Sequence, residues 1–228
     1  MVDRSVAQDL ANNSIERGDP TGWFEELYRI GETEPCVVSW ADKRPNPHLV
    51  SWATKNKLSG RGERALVVGC GYGDDAEWLA SRGFGVQAFD IAPTAISAAR
   101  RRFPLSRVQY LVADILSPPT EWRGSFDFVF EAYTLQVLKG EHRAKAARNI
   151  ASLVKGTLLV IARAREENEE EGMMPWPLTK SDLKPLLAPE LGLVQVSLED
   201  FVDDENPPVR RFRLECEKSS LNPDHKKT

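Results

Sequence analysis

The chain has 228 residues, 41% of them hydrophobic, with 30 Lys and Arg against 34 Asp and Glu and a net charge of −4. That size suits one α/β domain with a sizeable core. The balance lacks the basic excess that draws a phosphate backbone, which argues against nucleic acid as main substrate. No apolar run approaches the roughly 20 residues of a membrane span, and the N-terminus has no signal-peptide core. Three cysteines (Cys36, Cys70 and Cys216) with no CxxC or HExxH predict a reducing, cytoplasmic setting without disulfides or a metal site.

Residues 1–20 are polar and end in Gly18-Asp19-Pro20. They read as an N-terminal extension, frayed or helical, and a candidate mobile lid. Trp23, Phe24, Leu27 and Ile30 recur at helical spacing and predict an amphipathic helix over 21–30. Residues 35–47 read as a loop holding Trp40, and Pro47 opens a helix to about Leu58. Then strand and helix alternate. Strands are expected at 65–68, 86–89, 108–112, 126–130 and 157–162, with helices at 75–81, 93–102, 141–153 and 178–187. Pro93 and Pro104 bracket the second of these helices, and Thr179 is an N-cap candidate for the last. Strands at 194–198 and 211–216 close the chain with no helix between them. The alternation predicts an α/β, Rossmann-like, mainly parallel sheet with helices on both faces and an antiparallel pair at one edge. Residues 21–218 form one domain in this reading. The charged run at 166–171 is a solvated loop, and 219–228 a disordered tail.

The sharpest motif is Val67-Val68-Gly69-Cys70-Gly71-Tyr72-Gly73-Asp74-Asp75, between a strand and a helix. Glycines there permit a tight turn and close approach to a ligand. A dinucleotide loop would want its third glycine at 74, where this chain has Asp. A carboxylate there repels a pyrophosphate and suits a ligand with a cationic end. Asp90 closes the next strand and is placed to accept both hydroxyls of a ribose, or to cap the helix that follows. Asp114 closes the third strand, where it can accept from an adenine amino group or serve as a turn residue. Ile91 and Ile115 are placed to pack on ring faces.

This set resembles motifs one to three of class I methyltransferases that use S-adenosylmethionine (SAM), over residues 63 to 163. The resemblance implies a seven-stranded sheet with a reversed last strand. It also implies SAM as cofactor and S-adenosylhomocysteine (SAH) as product, held by Gly69, Cys70, Gly71, Gly73, Asp75, Asp90, Ile91, Asp114 and Ile115. Two further stretches, Ser39-Trp40-Ala41-Asp42-Lys43-Arg44-Pro45-Asn46-Pro47 and Phe130-Glu131-Ala132-Tyr133-Thr134-Leu135, resemble the thiopurine, thiol and halide methyltransferases. So does Pro175-Trp176-Pro177-Leu178. Trp40 would then cover cofactor and acceptor, Glu131 and Tyr133 would border the reacting centre, and Trp176 would lie in the lid. Each aromatic also has a plain packing role open to it.

The chain lacks the Asp/Asn-Pro-Pro-Tyr/Phe motif of amino methyltransferases. His48 and His142 lie away from the strand-four motif, and His48 reads as a surface helix residue. Arg163 ends strand five, where it could meet an anionic substrate or stay solvated. Thiols ionise near pH ~8.5 and need little base help, so the expected reaction is in-line methyl transfer to a small thiol. The alternatives are an O-, N- or C-methyltransferase of a small natural product with Glu131 or Tyr133 as base, and a SAM-binding protein without catalysis. An NAD oxidoreductase is disfavoured. The expected partner is a small molecule, with no nucleic acid or membrane, in a monomer or weak homodimer.

Overall fold

The computed structural model describes residues 4–219. The helices are α1 (Ser5–Glu16), α2 (Trp23–Gly31), α3 (Pro47–Lys55), α4 (Asp74–Ser81), α5 (Pro93–Arg102), α6 (Gly140–Leu153) and α7 (Lys180–Leu183). The strands are β1 (Arg64–Val68), β2 (Gly85–Asp90), β3 (Gln109–Val112), β4 (Phe126–Ala132), β5 (Val154–Arg163), β6 (Leu193–Val202) and β7 (Arg210–Lys218). They form one seven-stranded sheet in the order β3-β2-β1-β4-β5-β7-β6. The first five are parallel, and β7 runs antiparallel between β5 and β6. The expected fold class is therefore the observed one, reversed last strand included.

Three apolar layers result. Apolar residues of α3, α4 and α5, such as Leu49, Leu79 and Ile96, pack with Val67, Phe128 and Leu159 on one sheet face. On the other face Ala146, Ala147 and Ile150 of α6 pack with Leu66, Val129 and Leu158. The third layer belongs to no sheet face: Ala7 and Ala11 of α1 and Trp23 and Leu27 of α2 bury together with Val137, Met174 and Trp176. Residues 1–20 thus include a packed helix, and their first three residues lie outside the described ones. Of the expected tail at 219–228, all but Ser219 lies outside them too.

Several boundaries moved for local reasons. The helix opened by Pro47 stops at Lys55, short of Leu58. Lys57 turns left-handed (φ 53°) and the amides of Lys57 and Leu58 bond back to the carbonyls of Thr54 and Ala53 (3.3 and 2.8 Å), a Schellman stop. The helix expected over 178–187 is α-helical only at Lys180–Leu183 and continues as a 3-10 turn. Pro185 has no amide N–H to give the Ser181 carbonyl, so the α-helical ladder stops there although Lys184 itself keeps α geometry. Thr179 does cap it: its hydroxyl accepts from the Asp182 amide at 3.2 Å and Asp182 answers the Thr179 amide at 2.8 Å. Strand β6 runs four residues beyond the expected 198, with a register shift between Gln195 and Ser197.

Candidate active site

The strand order reverses between β1 and β4, which lead outward to β2 and β5. Loops leaving the carboxyl ends of two such strands diverge to opposite faces and open a crevice between them. A cavity of about 460 Å³ fills that crevice. Gly69, Cys70 and Gly71 reach it from the β1 loop, Asp90 and Ile91 from β2, Ala113, Asp114 and Ile115 from β3, and Ala132 and Tyr133 from β4. Its outer wall comes from Arg4, Ala7, Phe24 and Tyr28, the stretch from Ser39 to Pro47, and Met174 and Pro175.

The glycine loop needs its glycines for backbone shape. Gly69, Gly71 and Gly73 have φ of 61°, 50° and 91°, where a Cβ is strained. A Cβ at Gly69 or Gly73 would also stand 2.3 or 2.4 Å from the hydroxyl of Thr134 or Tyr110. Asp90 braces the loop from below. It is 6% exposed, and its two oxygens accept from the amides of Gly71 (2.9 Å) and Ala92 (3.0 Å). Burial raises its pKa, and those two amides oppose the rise. Asp90 thus does the local backbone work while lining the cavity, and a carboxylate keeps further lone pairs for a ligand. Asp114 is similar: one oxygen accepts from the Leu116 amide at 2.7 Å.

Asp74 and Asp75 divide differently from expectation. The Asp74 carboxylate is paired with the Arg102 guanidinium through two bonds of 2.8 Å. Its charge is answered by Arg102, so it is not the bare, pyrophosphate-repelling carboxylate expected at this position. Among the described residues Asp75 has no such cation. It accepts from the Asn46 amide at 2.6 Å, and burial pushes its pKa up to about 6. Asn46 in turn caps α3, its side-chain oxygen accepting from the amides of His48 (2.9 Å) and Leu49 (3.4 Å). The Trp40 stretch is thereby tied to the glycine loop.

Trp40 lines the cavity at 37% exposure. Its indole N–H donates to the Tyr28 hydroxyl at 3.1 Å, and its ring meets those of Trp23 and Tyr28 edge-on at 6.2 Å. Tyr28 then meets Tyr72 of the glycine loop at 5.3 Å. This chain of rings carries α2 onto the loop. Tyr28 and Tyr72 were missed in the sequence, where Tyr28 is one more apolar position of an amphipathic helix.

Tyr133 holds φ at 68°, uncommon for an aromatic residue. The Arg211 guanidinium lies 5.1 Å over its ring, and burial raises the pKa of its hydroxyl. The phenol is therefore protonated at neutral pH and poorly suited to take a proton. Glu131, expected beside it, does not line the cavity. It is fully buried, and one oxygen accepts from the amides of Thr134 (2.6 Å) and Leu135 (3.0 Å). Burial lifts its pKa to about 7. Geometrically it braces the turn after β4.

Trp176 is likewise not brought to the cavity. It is 4% exposed in the third apolar layer, with Lys139 4.3 Å over its ring, while the neighbouring Met174 and Pro175 do reach the cavity. Arg163 does reach it. His48 is not the surface residue expected. It is partly buried, 3.6 Å from Asp203 and edge-on to Phe201 at 5.3 Å, and desolvation lowers its pKa. Gln136, Arg4 and Arg211 line the cavity unannounced by any sequence motif. Among the described residues no cluster could hold a metal ion, and no helix is long and apolar enough to cross a membrane.

The comparisons agree with this geometry. Residues 65–157 match the methyltransferase domain family. The chain is 25% identical over 194 residues to thiocyanate methyltransferase 1 of Brassica oleracea, covering 82% of this chain and 84% of that protein. It is 27% identical over 174 residues to the 2-heptyl-1-hydroxyquinolin-4(1H)-one methyltransferase of Mycobacteroides abscessus, covering 72% and 74%. Its fold superposes with a TM-score of 0.66 on the Burkholderia thailandensis 1,6-didemethyltoxoflavin-N1-methyltransferase, solved with SAH bound, at 14% identity over 86% of this chain and 88% of that one. Residues 65–157 thus carry a match to the methyltransferase domain, and the β3-β2-β1-β4-β5-β7-β6 sheet with a glycine-loop crevice at its switch point is the fold shared with that SAH-bound neighbour.

Proposed function

We propose that this enzyme methylates a sulfur-centred nucleophile on a small molecule. In this reading the backbone of Gly69, Cys70, Gly71 and Gly73 and the carboxylate of Asp75 hold the amino-acid end of SAM. Asp90 accepts from the ribose hydroxyls, and Asp114 with Ile91 and Ile115 borders the adenine. SAM supplies a methyl carbon made electrophilic by its sulfonium, open to in-line displacement. The residues fit such a group: the left-handed Gly69 and Gly71 line the cavity and give the backbone close approach, while Gly73 shapes the turn behind them, and among the described residues no ion pair answers Asp75, Asp90 or Asp114. Trp40 and Tyr133 exclude water and favour positive charge on their ring faces.

The observation that carries sulfur over oxygen or nitrogen is the state of the candidate bases. Glu131 is turned to backbone amides, Tyr133 is held protonated, and no histidine lines the cavity among the described residues. A thiol loses its proton to solvent, and its thiolate then attacks with alignment as the enzyme's main contribution. The thiocyanate methyltransferase relative supports a soft acceptor. A second reading, a hydroxyl on a heteroaromatic ring, is favoured by the hydroxyquinolone methyltransferase relative. The pH dependence of kcat/KM separates them. With a series of thiols, the inflection should follow each thiol's own pKa, and Tyr133→Phe should lower kcat/KM less than about tenfold. An inflection fixed by the enzyme, or a loss of the ~100-fold or more that general-base catalysis contributes, favours the second reading.

A further inference from the structure

In the cavity Asp75, Asp90 and Asp114 lie at the ends of the glycine loop, β2 and β3, whereas Arg4, Arg163 and Arg211 gather near Tyr133 and the ends of β5 and β7, with Glu205 among them. Arg211 is satisfied: it donates to Asp203 and Glu205, each at 2.6 Å. Arg163 is different. Its backbone amide donates to the Gln136 side-chain oxygen at 2.9 Å, but its guanidinium makes no hydrogen bond or ion pair among the described residues. Nor does the guanidinium of Arg4. Gln136 is 3% exposed and lines the same cavity, and its amide nitrogen has no partner among the described residues.

A partly buried guanidinium without an ion-pair partner of its own, beside two more of its sign, is costly. Burial first, and then Arg4 and Arg211, push the Arg163 pKa down, against a smaller opposing pull from Glu205, whose carboxylate is bonded to Arg211. Its planar fork matches a carboxylate through two parallel bonds. The acids at the opposite end leave that end to the cationic donor.

We infer that the methyl acceptor carries an anionic handle, a carboxylate, seated on the Arg163 guanidinium with the Gln136 amide donating beside it and Arg4 closing over it. This rests on the reading of the cavity as the methyl-transfer site. It adds a specificity element: the handle fixes the acceptor while its nucleophile faces the methyl group.

The test is calorimetric, on the full chain loaded with SAH. The probes are 4-(mercaptomethyl)benzoate and its carboxamide, which differ in charge and hardly in shape. Wild type should bind the benzoate at least about tenfold tighter, the scale of one charge-assisted hydrogen bond or more. Arg163→Gln should bring the two within about twofold with SAH affinity unchanged, which also shows the variant folded. Arg4→Gln should narrow the gap only partly. Equal affinity for the two probes, no measurable binding of either, or a gap that survives in Arg163→Gln overturns the inference. So does thiocyanate binding that depends on Arg163 while the benzoate does not, since the site would then take a bare small anion. SAH failing to bind wild type sinks the donor reading instead, and the same benzoate–carboxamide comparison without SAH still decides the handle.

Discussion

Glu131 has one oxygen held by two backbone amides and another, fully buried, with no partner among the described residues. An ionised carboxylate there lacks part of the solvation it has in the unfolded chain, and desolvation raises its pKa from 4.5 to about 7. The raised folded value fixes the sign. The residue's contribution to stability is full below pH 4.5 and is lost as pH rises through about 7. Asp75 has the same sign over a lower window, from 3.8 to about 6. Glu131→Gln keeps an oxygen for the Thr134 and Leu135 amides and removes the charge. Relative to wild type it should gain roughly 1–3 kcal/mol between pH 5 and pH 8, read by denaturant unfolding at both. A difference that does not change with pH would contradict this account. The sequence showed a Glu at the end of β4. Whether it faced the cavity depended on which way the next turn ran, and Tyr133's left-handed backbone decides that.

Among the elements, α3 matters to the site through its cap. Asn46 holds the first turn of α3 by its side chain and gives its own amide to Asp75, so the helix start and the glycine loop share one residue. Asn46→Ala removes the cap and keeps the amide. It should cost about 1 kcal/mol, at most about 2, seen as a lower urea midpoint at unchanged slope. SAH affinity should be little altered, because the Asp75 contact is main-chain. Helices α1 and α2 form a layer over the strand ends, fastened where Gln8 donates to the Met174 carbonyl (2.9 Å) and where Glu25 accepts from the Thr94 amide (3.0 Å) and hydroxyl (2.7 Å). Periodicity revealed α2 as amphipathic. It was silent on α1, whose buried face is made of small residues, Ala7, Ala11 and Ser14.

At the scale of the whole molecule, the central sheet was readable because β1, β2 and β3 are short apolar runs ending in or followed closely by a glycine or an acid, Gly69, Asp90 and Asp114. The turn chemistry that ends such a strand also builds the ligand site. That Asp90 and Asp114 reach the cavity could be expected from position alone for that reason. What stayed hidden is what distant segments make together: the Trp23–Trp40–Tyr28–Tyr72 ring chain, the Arg211–Tyr133 stack, and Gln136 beside Arg163. Proximity of that kind leaves no local pattern. The gathering of Arg4, Arg163 and Arg211 in one part of the cavity, away from Asp75, Asp90 and Asp114, is likewise a property of the assembled fold.

The most direct measurement is calorimetric titration of wild type and Asp90→Asn with SAH and with NAD. Asn retains one acceptor oxygen for the loop amides but loses the charge and the paired acceptance that ribose hydroxyls require. Wild type should bind SAH and not NAD, and Asp90→Asn, folded by circular dichroism, should bind SAH at least about tenfold more weakly. SAH binding indifferent to Asp90, or NAD bound as well as SAH, would contradict it.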